Sequence, residues 1–166
     1  MPKVAFLTSG GIAPCLSASI GGLIEKYNQL DSDIEMIGYM HGYRGLLVGK
    51  SVVFSKEVKD NFHVLYEFGG SPIGNSRVKL TNIEDCIKKG YVSKGQDPLE
   101  VAAKQLEKDN IDISNIIISD KHKTGVAGIH VDRNTGKNAI TVVRGAPESL
   151  TIKEININII KNSKIF

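Results

Sequence analysis

The opening of the chain constrains its fold more than any other stretch. Lys3-Val4-Ala5-Phe6-Leu7-Thr8-Ser9-Gly10-Gly11-Ile12-Ala13-Pro14-Cys15-Leu16-Ser17-Ala18-Ser19-Ile20-Gly21-Gly22 runs an apolar, β-branched segment into a small-residue turn and then directly into helical spacing. A strand that delivers two glycines to a helix start lets backbone N–H groups converge without interference from Cβ atoms. The positive end of the helix dipole points at the same spot, which favours a phosphate. The same text also fits a tight βα turn that holds no ligand.

Composition narrows the class without deciding it. The 166 residues suit one domain with an appended piece, and 41% apolar with 23% charged residues is ordinary for a globular protein. The formal charge of +3 divides as 13 − 14 = −1 over residues 1–112 and 8 − 4 = +4 over residues 113–166. The eight cations of the second part are spread out rather than clustered, so no nucleic-acid or membrane partner is expected. Cys15 and Cys86 stand 71 positions apart, which excludes a zinc motif and argues against a disulfide framework. Cys15 fits a small residue at a helix start, or a thiol whose pKa that helix end lowers. No signal peptide and no membrane-length apolar stretch is read, so a cytoplasmic setting is expected.

Periodicity orders the elements. Residues 4–8 read as a buried parallel strand, 15–29 as a helix with Leu16, Ile20, Leu23, Ile24 and Tyr27 in register, and 34–40 as a second strand. His41-Gly42-Tyr43-Arg44-Gly45-Leu46 reads as a glycine-punctuated loop, 56–67 as helical, and Phe68-Gly69-Gly70-Ser71-Pro72-Ile73-Gly74-Asn75-Ser76-Arg77 as a second loop. Thr81 with Glu84, and Asp97 with Glu100, form capping boxes before two further helices. Ile116-Ile117-Ile118 reads as a short strand. The result is a Rossmann-like three-layer α/β unit with a parallel sheet. Residues 125–132 and 137–143 then form a β-hairpin around Asn134-Thr135-Gly136. A helix over 151–162 carries Ile152, Ile155, Ile159 and Ile160 on one stripe, and the chain stops as another strand begins, the pattern of a truncated sequence.

Three spaced motifs carry a resemblance. Leu7-Thr8-Ser9-Gly10-Gly11-x-Ala13-Pro14, His41-Gly42-Tyr43-Arg44-Gly45-Leu46, and Gly69-Gly70-Ser71 leading to Ser76-Arg77 make residues 1–112 resemble the N-terminal part of a phosphofructokinase. Ile12 replaces the family's Asp after the paired glycines, and Cys15-Leu16-Ser17 follows Pro14, a variant similar to the pyrophosphate-dependent branch. The resemblance implies phosphoryl transfer to the 1-hydroxyl of fructose 6-phosphate, giving fructose 1,6-bisphosphate in glycolysis. Pyrophosphate or ATP would be the donor, with Mg²⁺. It implies that Gly10 and Gly11 face the donor, that Tyr43 lines its pocket, and that Arg77 is a catalytic cation holding phosphate charge near the transferred group. It also implies a dimer or tetramer. The chemistry suits these residue types, because phosphoryl transfer needs positioning and charge neutralisation, and a guanidinium can grip phosphate bidentately. Arg44 reads as a bystander.

The acidic half of that chemistry is not in the text. The family's Gly-Gly-Asp loop is replaced by Ile118-Ser119-Asp120-Lys121, and its Thr-Ile-Asp-Asn-Asp-type segment is missing, so no base or metal carboxylate follows. Residues 113–166 instead resemble an internal strand-and-lid region of ribokinase-like sugar kinases. The match rests on Thr124-Gly125-Val126-Ala127, Val131-Asp132-Arg133, Gly136-Lys137-Asn138-Ala139-Ile140 and Gly145-Ala146-Pro147 before Leu150-Thr151. That family's sugar loop and its anion hole with the catalytic Asp are both missing. His130 reads as a strand-face residue, and Asp120 and Asp132 have no motif support as bases. The join near Asn110-Ile111-Asp112-Ile113-Ser114 reads as a chimeric or truncated product rather than a bifunctional enzyme. The expectation is a phosphofructokinase-type chain without turnover. The alternatives are a ribokinase-like fragment and a non-catalytic phosphate- or nucleotide-binding remnant.

Overall fold

The protein was analysed as a computed structural model that describes residues 2–11, 13–117, 119, 121–122 and 125–163. The chain divides into two compact units, residues 1–113 and 114–166.

In the first unit the order is β1 (Lys3–Phe6), α1 (Ala13–Leu30), β2 (Glu35–Tyr39), α2 (Tyr43–Val48), β3 (Ser51–Val53), α3 (Lys56–Asp60), a 3-10 helix (Phe62–Tyr66), α4 (Ile83–Lys88) and α5 (Pro98–Lys108). The three strands form a sheet in the order β1-β2-β3. β1 and β2 are parallel, with Lys3 opposite Glu35 and Phe6 opposite Gly38. The Lys3 ammonium pairs with the Glu35 carboxylate across this register at 2.7 Å. β3 is antiparallel to β2.

Alternation along β2 makes the three layers. Met36 enters one apolar cluster with Phe6, Ile20, Ile24, Phe54 and Ile73. Ile37 and Tyr39, of opposite parity, enter another with Leu46, Leu47, Val78, Cys86 and Ala102. Successive strand residues face opposite sides, so the clusters lie on the two faces of the sheet. α1 and the 3-10 helix cover one face, and α2, α4 and α5 the other. The α/β reading therefore holds: β1 and β2 form a parallel pair, and β3 adds one antiparallel strand to it.

Several element assignments need correction. The expected loop at 41–46 becomes α2 from Tyr43 onward, closed by Gly49 in a left-handed conformation at its C-cap. The helix expected from Thr81 is capped by Asn82, whose side chain accepts the Asp85 amide; Asn there satisfies the first-turn donor. Asp97 caps α5 as expected, accepting the Leu99 amide at 2.9 Å. Ile116 and Ile117 lie outside any strand, and Ile118 is outside the described residues. A short apolar run becomes a strand only by joining a ladder, and these residues join none.

The second unit holds the hairpin β4 (Val126–Val131) and β5 (Asn138–Val143), then α6 (Ala146–Ser149) and α7 (Ile157–Asn162). Val126 pairs with Val143 and Val131 with Asn138. All twelve hairpin strand residues are exposed. The helix expected over 151–162 is confined to its last turns. Glu154 takes the Thr151 amide and hydroxyl, and Asn156 caps α7 by accepting the Asn158 amide, so two local polar closures interrupt the isoleucine stripe. The strand start at the C-terminal end lies outside the described residues beyond Ser163.

Asp132 organises the hairpin turn, accepting the Asn134 and Thr135 amides at 2.7 and 3.0 Å. These backbone donors hold its carboxyl below the usual value. A folded-state pKa below the unfolded one gives support that is present above the ordinary carboxylate range and fades as pH falls through the depressed value. Titration of the Asp132 side chain by NMR is expected to give a midpoint below 3.8, rising toward it in Asp132-containing unfolded peptide.

The two thiols differ in environment. Cys86 is buried, and burial first, then Asp85, raises its pKa. Cys15 is exposed in the first turn of α1. An alkylating reagent is expected to label Cys15 in the native chain and Cys86 only after denaturation, as mass spectrometry of the labelled peptides will report.

Candidate functional site

β1 and β2 run in the same direction, so the segments leaving Phe6 and Tyr39 emerge at the carboxyl end of the sheet, where open α/β folds bind ligands. The first segment, 7–11, carries the paired glycines. Gly10 and Gly11 have φ of 135° and 123°, a region that side chains rarely adopt. A Cβ on Gly10 would meet open space, so its backbone conformation, rather than crowding, calls for glycine there. Both residues are exposed and lead into α1. Among the described residues, no protein acceptor takes the amide of Ser9, Gly10 or Gly11.

The second segment brings Gly42 against the first. Its φ is 63°, and a Cβ there would overlap the carbonyl oxygen of Thr8. The third segment is a strap over residues 71–78. Thr8 Oγ1 donates to the Gly74 carbonyl at 2.7 Å and lies 2.8 Å from Ser71 Oγ. The His41 amide donates to the Ile73 carbonyl at 2.8 Å, and Gly74 sits against the His41 ring. Ile73 (3% exposed) belongs to the α1-side cluster and Val78 (6%) to the opposite one. The strap therefore crosses the end of the sheet from one face to the other, and Arg77 lies on the crossing.

The four residues singled out by sequence have different settings. Gly10 and Gly11 present unengaged amides. Arg77 is exposed and makes no ion pair among the described residues. Tyr43 begins α2 half-buried and packs against the cluster around Ile37 and Leu46, so part of its ring is committed to the core. Arg44 stacks on the Tyr91 ring at 5.9 Å. Sequence reasoning placed Thr8 inside a motif without giving it a role; its signal was a hydroxyl residue at the end of an otherwise apolar strand.

A groove of about 470 Å³ runs from Ser9 and Gly10 along β1 to Leu16, Ile20 and Leu23 of α1. A larger one of about 550 Å³, lined by Asn28, Ile34, Phe54 and Lys59, lies at the opposite end of β2. There the Lys59 ammonium is engaged by the Ser32 and Ile34 carbonyls at 2.7 and 3.2 Å, a structural clamp rather than a free cation.

Magnesium fits these residues poorly. Segments 8–11, 41–46 and 69–77 contain no Asp or Glu, and no metal-sized cluster of His, Cys, Asp and Glu gathers among the described residues. Oxygen ligands for such an ion would have to come from the phosphates themselves or from other chain. Asp120, the acid nearest the expected metal loop, is outside the described residues.

No protein family model matches the chain. Against known proteins, 148 of its residues, 89% of the chain, are 49% identical to a pyrophosphate--fructose 6-phosphate 1-phosphotransferase of Methylotuvimicrobium alcaliphilum. The chain is similar to phosphofructokinases over most of its length. The Methylomonas methanica protein of the same name matches at 49% over the same share. An ATP-dependent 6-phosphofructokinase of Thermotoga neapolitana matches at 33% over 81% of the chain and 37% of that protein. The chain spans about a third (36%) of the length of the two pyrophosphate relatives. A matched stretch of 148 residues cannot fit inside residues 1–112, so phosphofructokinase similarity crosses the expected join. Among the described residues, no helix is long and apolar enough to cross a membrane.

Proposed function

We propose that this chain is the donor-binding portion of a phosphofructokinase that transfers a phosphoryl group to fructose 6-phosphate, with pyrophosphate the favoured donor and ATP the alternative. The observation that carries the reading is the set of unengaged Ser9, Gly10 and Gly11 amides beside the start of α1, at the end of the sheet that Arg77 also reaches. Backbone N–H groups and a helix N-terminus hold an anion by charge and dipole, and Arg77 adds a bidentate cation from the strap. Tyr43 borders the donor only through the surface its core packing leaves free.

The site neutralises charge, but its three segments lack the carboxylates that the resemblance assigns to taking the sugar hydroxyl proton and holding Mg²⁺. Binding without turnover is therefore the expected behaviour of these 166 residues. Calorimetry with pyrophosphate is expected to show binding, and a coupled assay with fructose 6-phosphate, Mg²⁺ and either donor to show none of the product. Robust turnover would overturn the role given to the missing carboxylates. Arg77→Ala is expected to weaken pyrophosphate binding by about 1–3 kcal/mol, the worth of a charge-assisted hydrogen bond. An unchanged affinity would remove Arg77 from the site.

A second reading assigns residues 113–166 to a ribokinase-like segment. It draws on the division of the chain after residue 113, one position from the expected join. The 148-residue phosphofructokinase match weighs against it. Ribose-dependent ATP hydrolysis would support this second reading, and its absence would retire it.

A further inference from the structure

We propose that Thr8 is a positioning residue for Arg77, fixing the strap that carries the guanidinium to the end of β1 that carries the glycine amides. This rests on the anion-binding reading above. Thr8 is only 8% exposed, and its hydroxyl is one of few polar groups in a buried setting. That hydroxyl reaches 66 residues along the chain to the Gly74 carbonyl at 2.7 Å, and lies 2.8 Å from the Ser71 hydroxyl. Ser71 Oγ is itself 3.2 Å from the same carbonyl, so two hydroxyls converge on one acceptor. The Thr8 carbonyl oxygen meanwhile backs onto Gly42. One residue thus touches both other segments of the site, the strap by side chain and the β2–α2 turn by backbone.

Position matters here because Arg77 lies between two fixed points. Ile73 is held in one cluster and Val78 in the other, and three residues between them precede Arg77. The tie at Gly74 fixes the backbone where the crossing leaves Ile73, and an anion clamp loses strength when its groups drift by a fraction of an ångström. The paired hydroxyls supply that tie at the first residue of the crossing. The Thr8 hydroxyl is spent on Gly74 and Ser71 and makes no hydrogen bond to Arg77, so the proposed effect on binding passes through the strap.

The test is a double-mutant cycle on the full chain with inorganic pyrophosphate, followed by calorimetry. Thr8→Val keeps the side-chain shape and removes the hydroxyl; Thr8→Ser keeps the hydroxyl. Thr8→Val is expected to weaken binding ~10-fold when Arg77 is present and to add little when Arg77→Ala has already been made, while Thr8→Ser retains the wild-type affinity. Equal weakening in both backgrounds, or none in either, would overturn the proposal. Ser71→Ala removes the partner hydroxyl and repeats the cycle if Thr8→Val folds poorly. Amide hydrogen exchange gives a readout that needs no ligand: Thr8→Val is expected to speed exchange across 71–77 while α1 and β2 keep their protection. Unchanged exchange in the strap would overturn the role of Thr8. Wild-type protein that fails to bind pyrophosphate would instead overturn the site reading, and the exchange result would still stand.

Discussion

Gly42→Ala is expected to destabilise the first unit by about 3 kcal/mol or more, and chemical denaturation will report it as a lowered midpoint. Two costs combine at this position. The backbone has φ of 63°, and the new Cβ would overlap the Thr8 carbonyl oxygen, a backbone atom that cannot swing aside. Gly90 separates the two. Its φ is 69°, but a Cβ there meets nothing within 4 Å, so Gly90→Ala carries only the left-handed cost of about 1 kcal/mol. The difference between the two variants measures the close approach of the β2–α2 turn to β1. Equal losses would show that the contact between those segments is slack.

Ile24→Ala is expected to cost about 2–5 kcal/mol, the range for removing a large aliphatic side chain from a closed core. Ile24 is 0% exposed and sits in the cluster with Phe6, Met36 and Phe54, where α1 meets the sheet. The rings of Phe6 and Phe54 stack at 5.6 Å between centroids, which leaves rigid neighbours that cannot collapse into the space. Loss at this position also loosens the helix whose start flanks the glycine amides. A fall in stability under about 1 kcal/mol would mean that α1 rests on the sheet less tightly than its burial indicates.

Sequence reached some of this architecture because certain residues leave a single option. The apolar run into Gly10-Gly11 could hardly be other than a strand meeting a helix, and Asp97 before Pro98 marks a helix start on local chemistry alone. α2 escaped for an equally physical reason. Gly42 and Gly45 read as loop punctuation, yet Gly45 is buried where a Cβ would overlap the Met40 carbonyl, so it serves tertiary packing inside a helix. β3 is a three-residue, exposed strand whose only signature is its pairing with β2. The isoleucine stripe at 152–160 showed the opposite error, helical spacing overruled by the polar closures at Thr151 and Asn156.

The site was legible as three motifs and illegible as one place. The strand-to-helix turn brought out Gly10 and Gly11 and the family resemblance singled out Tyr43 and Arg77, but nothing in the text shows that the strap passes over the end of the sheet. That fact depends on Ile73 and Val78 entering different clusters, a long-range outcome. Tyr43 illustrates the limit well, since a motif residue turned out to share its ring with the core.

The crossing strap has a thermodynamic consequence. A segment stitched into both apolar clusters loses its anchors when either of them opens, so melting the unit also releases Arg77. Any anion gripped there binds the native ensemble and not the denatured one, and mass action then raises the thermal midpoint of the whole unit as the anion concentration climbs. The crossing anchors one segment in both half-cores, so an anion bound there would be expected to stabilise the two together.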